Sequence, residues 1–502
     1  MSEVDLLIVG SGPVGATYAR LVSERLPGAR VLMVERGPLV TEPPGRNVRN
    51  LGDPDAQATA RERSQGSHAA RATGTPYSTG ETITARPGTH LIADMGTGDF
   101  PAAAVSTCVG GQGAHWTCAT PRPYGSERAD FIPDLEWNAA VETAEGLLHT
   151  TAEAFGERPI TKALRSALAG VFDDELPAGR KVGLLPVACT ENPDGTVEWT
   201  GTGTILAPLT GNDQFELRAG TACVRLDHED GRVTAAELEE VATGRRYTVR
   251  PRAVVVAADA LRTPQLLWAS GIRPHALGRY LNEHPLMMGV VALAPHLRAL
   301  AGDDSGDAPA ALLADPVRGA LTVPFADEAH PFQGQIMYYR TPPVPAPSPA
   351  TGSPATGFAA VGWGCRQEPR PENRIEFSPV DVDETGLPAM TIHWSLSERD
   401  RDELIRARAN LDRAAAALGT FLPDAQPRIM PPGSSLHYQG TLRMGPADDG
   451  TSVCSTESRV WGTSNLFAGG NGLIPTGTAC NPTLTSVAFA VLGAAAIVED
   501  LS

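Results

Sequence analysis

The chain has 502 residues, 42% hydrophobic and 20% charged, with 52 Gly and 43 Pro. That length exceeds one simple core and implies two or three packed layers or two intimate domains. A formal charge of −17 disfavours nucleic acid and anionic membrane as partners and suits a neutral substrate better.

Leu6-Leu7-Ile8-Val9 is a continuous apolar run, as in a strand buried on both faces of a parallel sheet. A helix over 13 to about 24 and a strand over 31–34 complete a βαβ unit. Between strand and helix lies Gly10-Ser11-Gly12-Pro13-Val14-Gly15. In this fingerprint Gly10 permits the turn, Gly12 admits a pyrophosphate, and Gly15 lets helix and strand pack closely. The helix N-terminus beyond Pro13 and Val14 offers amide donors to phosphate. Glu35 follows the second strand, where a carboxylate takes ribose hydroxyls, and Arg36 would flank an adenine. The fingerprint by itself leaves NAD and FAD open.

Residues 43 to about 84 read as a long surface excursion. Residues 107–120 form a Gly-rich turn containing Gly110 and Gly111, followed by an aromatic and Thr cluster. Helices are expected over 131–155 and 161–172, and strands and a hairpin over 215–249. Val224 is a candidate for backbone bonds to an adenine, or else an ordinary sheet residue. A buried strand over 253–257 runs through Ala258 into a helix ending near Gly271. Residues 341–357 are Pro/Ala-rich and low in complexity, a surface loop or a lid over a site. Residues 373–377 and 386–388 read as strand, turn, strand under a substrate, leading to His393 and Trp394, which stack on a sugar or pack in a sheet. Residues 397–418 form an amphipathic helix capped by Ser397 and Gly419. Near the end, a strand at 465–468 enters a turn containing Asn471, and a final helix starts at Pro482 with Asn481 as its cap.

Seven cysteines lack metal-type pairing, which favours a reduced, cytoplasmic setting. No export signal is expected at the N-terminus. The apolar run 488–498 is too short to span a bilayer, so no membrane partner is expected.

The late segments carry the chemistry. A carbinol C–H yields hydride only as the O–H proton leaves, so oxidation needs a cofactor beside a base. His437 titrates near working pH and suits that base; a buried structural histidine is the alternative. Asn481 suits an amide holding the substrate oxygen, or a helix cap alone. The late strand and helix favour FAD over NAD, because a positive helix end stabilises charge on a reduced isoalloxazine.

The chain resembles the glucose–methanol–choline flavin oxidoreductases, and among them the pyranose oxidases. The likeness rests on residues 108–121, which include His115-Trp116-Thr117-Cys118-Ala119-Thr120-Pro121, on 253–267, on Gly278-Arg279-Tyr280-Leu281-Asn282-Glu283-His284-Pro285, and on the His437 and Asn481 segments. It implies an α/β fold with an FAD-binding Rossmann-like domain (1–125, 205–295 and 430–502). Inserted in it is an α+β substrate domain (126–204 and 296–429) carrying a mainly antiparallel sheet. It implies His437 as catalytic base and Asn481 as its partner. Gly110, Gly111, Trp116, Thr117, Ala258, Asn471, Asn481, Pro482 and Thr483 join the fingerprint residues around FAD, with Thr117 near flavin N5.

His115 matches the histidine that pyranose oxidases link covalently to the flavin. Gly113-Ala114 departs from the Ser-Thr before it in fungal members, so a non-covalent packing stays open. Asp259 stands where the family has Gly. The activity implied is oxidation of a secondary ring hydroxyl, C2 or C3, of a pyranose sugar or glycoside. Hydride goes to flavin N5 and electrons to O2 or a quinone-type acceptor. A dehydrogenase of another alcohol (a steroid or polyol) and a non-catalytic flavoprotein are the alternatives, and the oligomeric state is open.

Overall fold

The computed structural model describes residues 2–64, 88–91, 98–193, 196–301, 317–340 and 356–502. The first sheet is built on Ser2–Val9, which pairs in parallel with Val31–Val34 on one side and Arg245–Val256 on the other. Phe215–Arg218 and Leu466–Ala468 extend the parallel array at its two edges. Leu6, Leu7 and Ile8 have no solvent-exposed surface, which is why the run is continuously apolar rather than alternating. The first half of Arg245–Val256 instead joins an antiparallel meander with Thr221–Glu229 and Arg232–Glu240.

The C-terminal helix Thr483–Leu501 packs on Pro13–Arg25, and a Cβ on Gly493 would lie 2.2 Å from the Tyr18 hydroxyl. The small residue is therefore required for the two helices to meet. Trp137, on helix Asp134–Leu148, packs at a tilt against Phe489 of the C-terminal helix, with ring centroids 5.6 Å apart. The apolar run read as 488–498 belongs to this longer helix of 19 residues, which is apolar and long enough to cross a membrane but mostly buried inside the protein.

The second sheet is antiparallel, in the order Gly419–Phe421, Leu286–Leu293, Phe358–Cys365, Phe332–Tyr339, Val317–Val323, Gly183–Leu184. Alternation along its strands divides two environments. Val361 and Trp363 pack against helices Glu398–Leu418 and Pro159–Phe172 through Leu404, Leu411, Leu164 and Leu168. Ala360, Gly362 and Gly364 face a cavity on the other side. Ser397 caps the long helix: its hydroxyl accepts the Asp400 N–H at 3.1 Å while the Asp400 carboxylate accepts the Ser397 N–H at 2.8 Å.

Several expectations shift. Leu286–Leu293 pairs in the second sheet, so the segment 205–295 expected in the FAD-binding domain passes into the second sheet at Leu286. Segment 126–204 is divided, because Asp134–Leu148 joins the first core and Pro159–Phe172 the second. Arg374–Val382 and Pro388–His393 form a separate two-stranded ribbon rather than the substrate floor. The excursion from 43 holds a helix, Pro54–Arg63. Its part from 65 to 84, and residues 341–355 of the low-complexity stretch, lie outside the described residues.

Candidate active site

A cavity of about 870 Å³ runs from the fingerprint loop to His437 and Asn481, at the upper end of the ~300–1,000 Å³ usual for ligand sites. At its first end, Gly10 lies at φ +105 with an added Cβ only 2.3 Å from the Ala257 carbonyl oxygen. An added Cβ on Gly15 would lie 2.1 Å from the Gly10 carbonyl oxygen. On Gly12 it would meet no protein atom within 4 Å, because that position opens into the cavity. Gly111 faces Gly12 across the gap, and Gly110 donates its N–H to the Ser11 hydroxyl at 2.9 Å.

Glu35 is buried, accepting from the Ser11 hydroxyl at 2.8 Å and the Gly37 N–H at 2.9 Å. Burial pushes its carboxyl up and these donors pull it back. Arg36, Ala258, Asp259 and Arg262 line the same end. Asp259 takes φ +70, the left-handed conformation natural to glycine. Its carboxylate accepts the N–H groups of Leu261 at 2.6 Å and Arg262 at 3.0 Å, capping the helix that follows. That accounts for Asp where the resembled family has Gly.

At the middle, Pro13, Val14, His115, Trp116, Thr117, Asn471 and Thr483 line the cavity. The Trp116 indole is tied to the Thr200 carbonyl at 2.7 Å. Burial pushes the His115 imidazole down to about 3, with Arg61 adding to the effect, so its ring is neutral. Asn471 accepts from Ser486 at 2.6 Å, and Thr483 and Ser486 bring the N-terminal turn of the last helix to the wall. The amide dipoles of that turn favour negative charge in the cavity.

Four predicted residues sit off the wall. Gly15 and Gly110 act beneath it, through the contacts above. Pro482 holds the N-cap position itself, so Asn481 lies one residue before the cap and is not the capping side chain. Val224 falls at an irregularity in its strand, and Ala222 and Cys223 reach the cavity in its place. His393 and Trp394 are elsewhere. His393 pairs with Glu376 at 3.1 Å, and Trp394 is buried with its indole on Gln367 at 3.0 Å.

At the far end His437 and Asn481 line the wall together. His437 Nδ1 lies 3.1 Å from Nδ1 of His284, and the rings meet edge-on with centroids 4.8 Å apart. His284 is buried and pushed down to about 3 by that burial. Its Nε2 contacts the Gln439 amide at 2.8 Å and the Thr478 hydroxyl at 2.9 Å. The Asn481 side-chain carbonyl accepts from the Gln335 amide, which turns its own NH2 group away from that bond. The loop before it is anchored by buried Glu127, whose Oε1 accepts the N–H groups of Ala479 at 2.8 Å and Cys480 at 2.9 Å.

Sequence reading assigned no role to His284, Gln335, Gln439, Thr478 or Glu127. His284 stood within a quoted signature, a signal that was available. The others lie in unremarkable strand and loop sequence.

The arrangement joins a dinucleotide cradle to an imidazole and an oriented amide in one enclosed space. Models of GMC oxidoreductases match residues 127–286 and 369–490. A C-glycoside 3-oxidase of Microbacterium trichothecenolyticum is 45% identical over 100% of this chain and 98% of its own. The chain belongs to the GMC oxidoreductases. A pyranose 2-oxidase of Tricholoma matsutake is 30% identical over 99% of this chain and 94% of its own. A pyridoxine 4-oxidase from Mesorbium loti shares the fold, with a TM-score of 0.66 at 17% identity, covering 98% of this chain and 99% of that one.

GMC oxidoreductases are FAD-dependent, and the site fits the cofactor. Gly12 leaves the room a pyrophosphate needs, Glu35 presents buried acceptor oxygens where a ribose would lie, and the last helix offers amide dipoles further along.

Proposed function

We propose that this enzyme oxidises a secondary ring hydroxyl of a pyranose sugar or glycoside to the ketone, with C3 of a glycoside favoured over C2. The reading rests on one observation: His437 and Asn481 share a continuous cavity with the dinucleotide cradle of Gly12 and Glu35. The greater identity to the C-glycoside 3-oxidase than to the pyranose 2-oxidase supports C3. Ala360, Gly362 and Gly364 on the floor leave width for a substituted ring.

In this mechanism His437 takes the proton of the reacting hydroxyl. Asn481 donates from its NH2 group to the same oxygen, the orientation that Gln335 imposes by occupying its carbonyl. Glu127 holds the loop that sets the height of Asn481 above the cavity. FAD held between Gly12, Glu35 and the N-terminal turn of the last helix would supply the hydride acceptor and the route for electrons to O2 or a quinone-type acceptor. His115, by position, is the residue that would carry a covalent bond to the cofactor. Acid precipitation tests this, since a colourless pellet under a yellow supernatant excludes the bond. All seven cysteines are buried and none is in a disulfide, which supports residence in the reducing cytoplasm.

The deciding experiment is an anaerobic flavin-bleaching screen of monosaccharides against O- and C-glycosides, with product NMR on the best substrate. His437→Ala is expected to slow bleaching by about 10²–10⁴-fold. Near-normal bleaching by that variant removes His437 from the mechanism, and a panel with no bleaching sugar or glycoside removes the substrate class.

A further inference from the structure

Two imidazoles that meet Nδ1 to Nδ1 share one proton between them, so at 3.1 Å one ring must donate and the other accept. The choice has chemical consequences. If His284 donates, the neutral His437 ring carries its proton on Nε2 and has no lone pair left to receive another. If His437 donates, its Nε2 holds the lone pair a base requires.

His284 in turn can accept at Nδ1 only when its own proton is on Nε2, which needs an acceptor there. Two groups meet that nitrogen, the Thr478 hydroxyl at 2.9 Å and the Gln439 side-chain amide at 2.8 Å. The amide supports the arrangement with its oxygen toward His284 and opposes it with its nitrogen. The structure places the nitrogen toward His284, so the arrangement requires the amide turned over, an exchange of two groups of nearly the same size and shape. The Gln439 amide nitrogen also donates to the Thr478 hydroxyl at 2.9 Å, and that hydroxyl lies 3.2 Å from the amide oxygen; with the amide turned over, the oxygen takes the nearer place and accepts from both the hydroxyl and the imidazole Nε2–H.

We propose that His284 is a positioning residue that fixes His437 in its Nδ1–H form, and that Gln439, oxygen inward, and Thr478 fix His284 in its Nε2–H form. The proton taken from the substrate then arrives at His437 Nε2, and the resulting imidazolium keeps donating from Nδ1 to a neutral His284. Burial keeps His284 from taking that proton for itself. The backbone holds the pieces in register: the N–H of Gln439 bonds the Asn282 carbonyl at 2.8 Å, and the N–H of Asn282 bonds the Gln439 carbonyl at 3.1 Å. The Ser435 hydroxyl, itself bonded to buried Glu283 at 2.6 Å, accepts the backbone N–H of His437 at 3.1 Å. This proposal rests on His437 being the base.

Two measurements test it on the FAD-loaded enzyme. The ¹⁵N shifts of selectively labelled histidines, assigned with His284→Asn and His437→Ala, read the tautomers without turnover. The expected result is a bare Nε2 on His437 and a bare Nδ1 on His284, and the reverse pair overturns the proposal. Asn at 284 places its Oδ1 where Nδ1 lies, Gln places its oxygen nearer Nε2, and Leu offers no acceptor. His284→Asn should keep flavin bleaching within about tenfold of the parent, whereas His284→Leu and His284→Gln lose on the order of 10²–10⁴-fold. Equal losses in all three variants also overturn it. A parent enzyme that bleaches with no alcohol refutes the functional reading, while the tautomer spectrum still decides the imidazole pair.

Discussion

The two ends of the cavity are built on different principles. At the fingerprint end the decisive contacts are between backbone atoms and glycine positions: Gly10, Gly12, Gly15 and the amides around Glu35. At the His437 end they run through side chains: those of residues 284, 335, 437, 439, 478 and 481 meet one another, and Glu127 holds the backbone N–H groups of Ala479 and Cys480. A backbone cradle tolerates almost no change in shape and much change in its surroundings. A side-chain network keeps its shape under substitution but loses function when one donor or acceptor changes.

The sharpest way to break this contrast is within the fingerprint itself. Gly15→Ala pushes a methyl to 2.1 Å from a backbone oxygen and is expected to cost about 3 kcal/mol or more, read as a large loss of thermal stability. Gly12→Ala meets no protein atom, so the apoprotein should melt within about 1 kcal/mol of the parent while flavin retention falls. If both variants melt alike, the assignment of Gly12 to cofactor space fails.

Glu127→Ala probes the other end. It strips buried acceptors from the N–H groups of Ala479 and Cys480 and is expected to cost about 2–4 kcal/mol. Flavin content should be retained and kcat reduced, because Asn481 loses its anchor and the cradle does not. Loss of flavin in step with activity would merge the two ends into one cooperative unit.

The smallest effect is expected at Asp259, where a side chain serves the backbone end. Asp259→Ala loses the cap and keeps the unfavourable φ, a cost of about 1–2 kcal/mol by denaturant titration. Asp259→Gly recovers the conformation and should cost less. A cost for Gly equal to or larger than that for Ala would show that relief of the backbone angle is not what decides this position.

Legibility in the sequence follows the same division. Gly10 to Glu35 and the two flanking strands were readable because turn sterics and burial on both sheet faces act over a few neighbouring residues. Asp259 was visible as a departure and unexplained until its φ was known. Val224 does not line the cavity whereas Ala222 and Cys223 do, because an irregular strand shifts which residues reach the wall. The ribbon at 374–393 was read as a sugar floor because alternation marks a strand without naming its partner sheet.

The sequence by itself pointed to Gly12 and Glu35 as a dinucleotide cradle and to His437 and Asn481 as groups suited to act on an alcohol, because residue chemistry and local spacing suffice to raise both expectations. Only the tertiary structure decided that His284 meets His437, that Gln335 turns Asn481 and that Glu127 holds its loop. Those partners lie far apart along the chain, and strand pairing and loop docking, which no local rule encodes, bring them within hydrogen-bond reach.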